Sequence, residues 1–147
     1  MNVSTILVPT DFSADADKAL STATELAKLF GARIVIIHAY QVNIPVVSPI
    51  AGGYALPQGF YEGLRAQAAA QVEELAAKVA AEGIDATGVA LQEPASLAIV
   101  KQAEKLPADL IVMGTRGNTG LKHVVLGSVA ERVVRTAPCS VLTVKTD

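Results

Sequence analysis

The sequence predicts an α/β fold, in which a single doubly wound open sheet of five parallel strands carries helices on both faces. Three observations lead to this prediction. Short apolar runs rich in β-branched residues alternate along the chain with longer segments of helical periodicity. Hydrophobic residues make up 51% of the sequence and aromatic residues only 4%, which is typical of parallel strands buried on both sides. The length suits one domain, residues 1–147.

The first elements are a strand, a helix and a second strand. Val3–Val8 is an apolar run that Pro9 ends, so we predict a short buried strand there. Ser13 can cap the following helix, whose apolar residues continue at helical spacing until Gly31 ends it. The run RIVIIHA, Arg33–Ala39, consists mainly of β-branched residues and predicts a central strand buried on both faces.

The next segment is irregular and is followed by a long helix. Residues 41–57 contain three prolines and two glycines, which exclude regular structure and leave an ordered lid or disorder as alternatives. Apolar residues from Leu64 to Val79 then recur at helical spacing. Glu74 and Lys78 lie four residues apart, so we expect them to pair on the surface of this helix.

The second half of the chain completes the alternation. It contains a third strand at Asp85–Leu91, a helix with Pro94 in its first turn, a fourth strand at Asp109–Met113, a short helix at Ser128–Thr136 and a fifth strand at Ser140–Val144. Right-handed crossovers then predict a Rossmann-like sheet with the strand order 3-2-1-4-5.

Ligands of such sheets bind beyond the carboxyl ends of the strands, where the winding reverses. Pro9, Thr10 and Asp11 follow the first strand, and Ala39 ends the second. A glycine-spaced loop follows the fourth strand and leads into the start of a helix. Unpaired N–H groups and a partial positive charge of about half a unit make a helix start a binding site for anions such as phosphate.

This loop has the spacing G-x2-G-x9-G-[ST], with Gly114, Gly117 and Gly127-Ser128 at the fixed positions. It is neither a P-loop nor a G-x-G-x-x-G fingerprint. Together with the segments ILVPTDFS, IIHA, DLIVMGTRG and APCSVLTVK, the motif resembles the ATP-binding branch of the universal stress protein family. The resemblance covers nearly the whole chain and implies a homodimer that binds ATP, together with a divalent cation, Mg²⁺ or Mn²⁺.

The resemblance also implies individual roles. Asp11 would contact the ribose or the metal ion, Ala39 would offer its backbone to the adenine edge, and Met113 would pack against the ring. Gly114 and Gly117 would allow the loop to approach the ribose and phosphates. The candidate nucleotide-binding residues are Pro9, Thr10, Asp11, Ala39, Met113, Gly114, Thr115, Arg116, Gly117, Gly127, Ser128 and Val129.

Several of these residues have alternative interpretations. Gly127, Ser128 and Val129 would present N–H groups to the β- and γ-phosphates, but Ser128 is also suited to be an N-cap, and Asp11 is suited to cap the first helix with Ser13. We expect Arg116 either to be solvated or to add charge toward phosphate. In many relatives a glycine comes just before this proline, whereas this chain has Gln92-Glu93-Pro94. We therefore expect the shape of one pocket wall to differ.

Functionally, the sequence favours a nucleotide-dependent switch or sensor without assigned catalytic residues. No P-loop lysine, second acid or glutamine accompanies the loop. The alternatives are an ATP-using enzyme with weak ATPase or autophosphorylation activity, and a dimeric scaffold that binds nothing. His123 is expected on the solvated surface and His38 in the core, and the single cysteine, Cys139, is expected to be inert.

Partners and location follow from charge and hydropathy. The net charge of −2 argues against nucleic acid as a partner. The first apolar run stops at Pro9, so we expect no signal peptide, no membrane span and a cytoplasmic location. The apolar run Ser140–Val144 would lie at the edge of the sheet, and we expect a homodimer through this strand.

Overall fold

The computed structural model describes residues 1–43, 56–117, 123 and 125–146. Its strands form one parallel sheet: β1 (Thr5–Pro9), β2 (Arg33–Ala39), β3 (Ala86–Leu91), β4 (Leu110–Gly114) and β5 (Ser140–Val144). The order across the sheet is β3-β2-β1-β4-β5, with every neighbouring pair parallel. The helices are α1 (Ala14–Phe30), α2 (Phe60–Ala80), α3 (Ala95–Lys105) and α4 (Ser128–Thr136). The predicted fold class and strand order are therefore confirmed.

Boundaries differ from the prediction mainly where proline and glycine follow a strand. The expected end of β1 at Val8 is wrong by one residue, because Pro9 is the last residue of the strand and the N–H of Thr10 still donates to the Ile37 carbonyl at 2.8 Å. Similarly, β4 extends to Gly114. Pro94 is the N-cap of α3 and not a first-turn residue, with an extended ψ of 134°.

Both faces of the sheet are covered, as the apolar strands predict. Successive residues of β1 point to opposite faces: Ile6 and Val8 pack in a core with α1 and α2, whereas Leu7 packs in a second core with α3 and α4. The hydroxyl of Ser13 caps α1, and Gly31 ends it in the left-handed conformation with φ of 66°.

Some predictions concern residues outside those that the structure describes. Most of the segment 41–57 (residues 44–55) belongs to this group, as do loop residues 118–122 and 124. The surface pair Glu74–Lys78 of α2 is confirmed at 2.9 Å. Within the ranges given above, none of the helices combines the length and the apolarity needed to cross a bilayer.

Candidate functional site

A cavity of about 300 Å³ lies at the carboxyl ends of β1, β2 and β4, where the winding of the sheet reverses. The structure brings all twelve candidate residues from the sequence to its walls. It adds five apolar residues that the sequence analysis did not include: Ala16, Ile37, Ala95, Ile99 and Ala130. A volume of this size is at the lower end of that of small-molecule sites.

One wall of the cavity is apolar. Ile37, Ile99 and Met113 are buried core residues that reach the cavity from β2, α3 and β4. Ala39 and Ala95 add small side chains beside them, so this wall offers an apolar surface of the kind that accepts a planar ring. Ile37 was predictable in principle, because it lies two residues before Ala39 and thus on the same face of β2.

The turn after β1 orients Asp11. Its Oδ1 accepts a hydrogen bond from the N–H of Ser13 at 3.0 Å, and the next residue, Phe12, adopts a left-handed φ of 61°. The hydroxyl of Ser13 accepts from the N–H of Ala16 and is the actual cap of α1. Asp11 therefore supports the cap through Ser13, in agreement with the alternative interpretation, and Ser13 itself is the N-cap.

The first two motif glycines lie in close contact with other parts of the protein. A Cβ on Gly114 would lie 2.8 Å from the Asp15 Cβ and 2.9 Å from the Asp15 carbonyl carbon. A Cβ on Gly117 would lie 2.7 Å from Oδ2 of Asp11. The glycines therefore allow the loop to pack against the start of α1, a reason that the motif spacing alone did not reveal.

A buried carboxylate, Asp15, binds the beginning of this loop. Oδ2 of Asp15 accepts hydrogen bonds from the N–H and Nε of Arg116, both at 3.2 Å, and from the Thr115 hydroxyl at 3.4 Å. Oδ1 accepts from the Thr146 hydroxyl, which in turn accepts from Nη2 of Arg116 at 2.8 Å. The Arg116 side chain is 29% exposed and ion-paired, so the expectation that it is solvated surface is wrong.

The charge of Asp15 is stabilised inside this network. Burial alone would raise its pKa, but hydrogen bonds from Thr146 and Arg116 and the Arg116 charge together hold the pKa below the ordinary value of an aspartate. The carboxylate is therefore ionised at neutral pH. No sequence signal pointed to Asp15, because an acid in the first turn of a helix is common as a partner of the helix dipole.

The second half of the site is the start of α4. Gly127 is the N-cap, with an extended backbone, and its N–H donates to the Thr115 carbonyl at 2.6 Å, so the expectation that this N–H is presented to phosphate is wrong. Ser128 is the first residue of the helix, so its interpretation as the N-cap is wrong. Among the described residues no side chain caps this helix, and Gly127, Ser128 and Val129 all line the cavity.

Of the residues that the structure describes, two with charged side chains line the cavity, Asp11 and Arg116. The described parts of the chain hold no group of three or more His, Cys, Asp or Glu residues suited to a metal ion. A divalent cation such as Mg²⁺ needs only one or two protein carboxylates when substrate phosphates supply further ligands. Asp11 lines the cavity and supplies one carboxylate for that arrangement, whereas Asp15 does not line it and is ion-paired with Arg116.

The remaining sequence candidates lie away from the cavity walls. His123 is exposed, as expected, and His38 is half-buried, with Nδ1 2.9 Å from the Thr10 carbonyl oxygen. Cys139 is half-buried against the α3–α4 core. Burial, together with the charge of Asp109, raises the pKa of its thiol, and a protonated thiol is a poor nucleophile.

Comparison with known proteins agrees with this architecture. The profile described as "Universal stress protein family" matches residues 2–145. Universal stress protein MJ0531 of Methanocaldococcus jannaschii is 39% identical over 144 residues, which cover 95% of this chain and 81% of that protein. The solved structure of hypothetical protein MJ0577 superposes with a TM-score of 0.83 and 26% identity, covering 100% of this chain and 99% of the other.

A further solved structure is a universal stress protein in complex with cAMP. It has a TM-score of 0.72 and 27% identity, and the alignment covers all of both chains. The profile match and the M. jannaschii relative together span almost the whole chain. On this evidence, the chain belongs to the universal stress protein family.

Proposed function

We propose that this protein is an adenine-nucleotide-binding switch whose principal ligand is ATP. The observation that carries the proposal is that one cavity is lined both by apolar side chains and by the start of α4, which no described side chain caps. An apolar wall suits a nucleobase, and a helix start suits phosphate. The family member solved with cAMP supports the same ligand class.

Within this proposal the adenine ring packs against Ala39 and Met113, and the backbone N–H groups of Ser128 and Val129 donate to the β- and γ-phosphates, whereas the N–H of Gly127 already donates to the Thr115 carbonyl. Pro9, Thr10, Thr115 and the two loop glycines complete the walls. Asp11 binds the ribose hydroxyls or shares Mg²⁺ or Mn²⁺ with the phosphates. Such a cation, when bound, neutralises phosphate charge; the proposal assigns no catalytic residue to this chain.

We further propose that the protein is a cytoplasmic homodimer that pairs through β5. This strand is last in the sheet and hydrogen-bonds to β4 on one side only. Leu142 of β5 remains 38% exposed. An apolar edge strand favours pairing with a second strand, and two copies related by a twofold axis close the assembly.

The decisive test is the substitution Ser128→Pro. Proline is favoured at the first position of a helix and fits after the extended backbone of Gly127, so α4 is retained while the Ser128 N–H is removed. We expect titration calorimetry to show at least about a tenfold loss of ATP affinity, the worth of one charge-assisted hydrogen bond.

Ser128→Ala is the matched control, because it removes the hydroxyl and keeps the N–H. It should lose less affinity than Ser128→Pro. Circular dichroism checks that both variants are folded. Equal ATP affinity in folded Ser128→Pro and wild type would place the phosphates elsewhere, and a wild type that binds no adenine nucleotide would refute the proposed function.

A further inference from the structure

The Asp15 network connects three parts of the fold that are distant in sequence. Asp15 lies in the first turn of α1, Thr115 and Arg116 follow β4, and Thr146 lies beyond β5. The side chains of Asp15 and Thr115 are buried, 7% and 6% exposed as residues. The Arg116 side chain is partly exposed, but the buried Asp15 carboxylate would be poorly solvated without its partners, so its position depends on them.

Thr115 connects the Asp15 carboxylate to the start of α4 through hydrogen bonds. Its hydroxyl donates to Asp15, its N–H donates to the Val144 carbonyl at 3.1 Å, and its carbonyl accepts the N–H of Gly127 at 2.6 Å. Gly127 is the N-cap of α4. The position of Thr115 therefore determines where the first N–H groups of α4 point.

We propose that Asp15 is a positioning residue for the phosphate site, acting through Thr115 and Arg116 on the start of α4. This inference rests on the proposed nucleotide-binding function. Asp15 itself does not line the cavity. The Arg116 guanidinium serves mainly as the counter-ion that fixes the carboxylate, because it donates to both Asp15 oxygens and to Thr146.

Two other roles of Asp15 would give different results. If Asp15 only withheld Arg116 from the nucleotide, neutralising it would free a guanidinium for phosphate and raise ATP affinity. If the network only stabilised the fold, its loss would affect phosphorylated and unphosphorylated ligands alike. The three roles thus differ in the sign of the effect and in its dependence on phosphate.

The experiment compares ATP and adenosine binding in wild type, Asp15→Asn and Thr146→Val by titration calorimetry. Asp15→Asn keeps the shape of the side chain and removes its charge, and Thr146→Val removes the hydroxyl that bridges Asp15 and Arg116. We expect Asp15→Asn to lose about tenfold in ATP affinity, as for one misplaced charge-assisted hydrogen bond, while adenosine changes by less than about twofold. Thr146→Val should lose ATP affinity selectively and by a smaller factor.

An increase in ATP affinity, or an equal loss for both ligands, would overturn the positioning role. If Asp15→Asn does not fold, Thr146→Val decides by the same criteria. Hydrogen exchange of the Arg116 amide provides a test without ligand, since this amide donates to Asp15. We expect faster exchange of this amide in Asp15→Asn, and unchanged exchange would refute the positioning role. This result is distinct from a failure of the proposed function, which a wild type without nucleotide affinity would show.

Discussion

Gly114→Ala tests the close approach between the glycine loop and α1. The new Cβ would lie 2.8 Å from the Asp15 Cβ and 2.9 Å from its carbonyl carbon, so a strand end and a helix must separate. Overpacking of this kind costs about 1–3 kcal/mol, and weakening a buried charge-assisted hydrogen bond costs about 1.5–3 kcal/mol more. We therefore expect the free energy of unfolding to fall by about 3 kcal/mol, which at about 3 °C per kcal/mol lowers Tm by about 9 °C for a chain of this size.

Gly63→Ala is the matched control for this measurement. Gly63 lies inside α2, and a Cβ there meets nothing within 4 Å. The same substitution should therefore stabilise the protein by about 0.4–1 kcal/mol, because alanine restricts the unfolded chain. Thermal unfolding followed by circular dichroism measures both variants. A Tm of Gly114→Ala equal to that of wild type would refute the packing argument.

Three further predictions use the same preparations. Asp11→Ala should weaken ATP binding and its Mg²⁺ dependence in titration calorimetry, and unchanged values would refute its role at the ribose or the metal ion. Leu142→Lys should convert a dimer to a monomer in light scattering, whereas Leu29→Lys, on a side chain 79% exposed in α1, should not; a monomeric wild type contradicts the dimer. Because the folded-state pKa of Asp15 is lowered, its stabilisation is present above about pH 4 and is lost as the pH falls through the folded pKa. In denaturant titrations below about pH 4, the free energy of unfolding should therefore fall less steeply with pH for Asp15→Asn than for wild type.

The fold was predictable because its information is local. Alternation of apolar runs identifies each strand, and the ends of β2, α4 and β5 agree with the sequence pattern. Errors of one or two residues occur at β1 and α3, where proline was assumed to end or enter an element. Whether Pro9 closes a strand depends on the neighbouring strand, since the ladder continues through Thr10 and Ile37.

The residues that line the cavity were predictable for a related reason, but the hydrogen-bond network of Asp15 behind them was not. The alternation of strands and helices along the sequence identifies the strand ends and the helix start that line such a site. The partners of Asp15 lie 100 residues or more away in sequence, and single-sequence periodicity carries no information on such pairs. Arg116 was consequently assigned to solvent or phosphate, whereas its guanidinium lies against a carboxylate that looked like an ordinary helix-start acid.

The geometry also changes what the glycine motif means. Gly114 is needed to bring the loop against the backbone of Asp15, and Gly117 lies against the Asp11 carboxylate, so a chain that had lost its ligand would still favour both glycines. Their spacing is therefore evidence for the packing of this loop first, and for nucleotide only through the site that the packing creates. The start of α4 is different, because the residues that carry its first N–H groups line the cavity and no described side chain caps them. Ser128→Pro is therefore the substitution that tests nucleotide binding itself, because it removes one of these donors and leaves the packing of Gly114 and Gly117 intact.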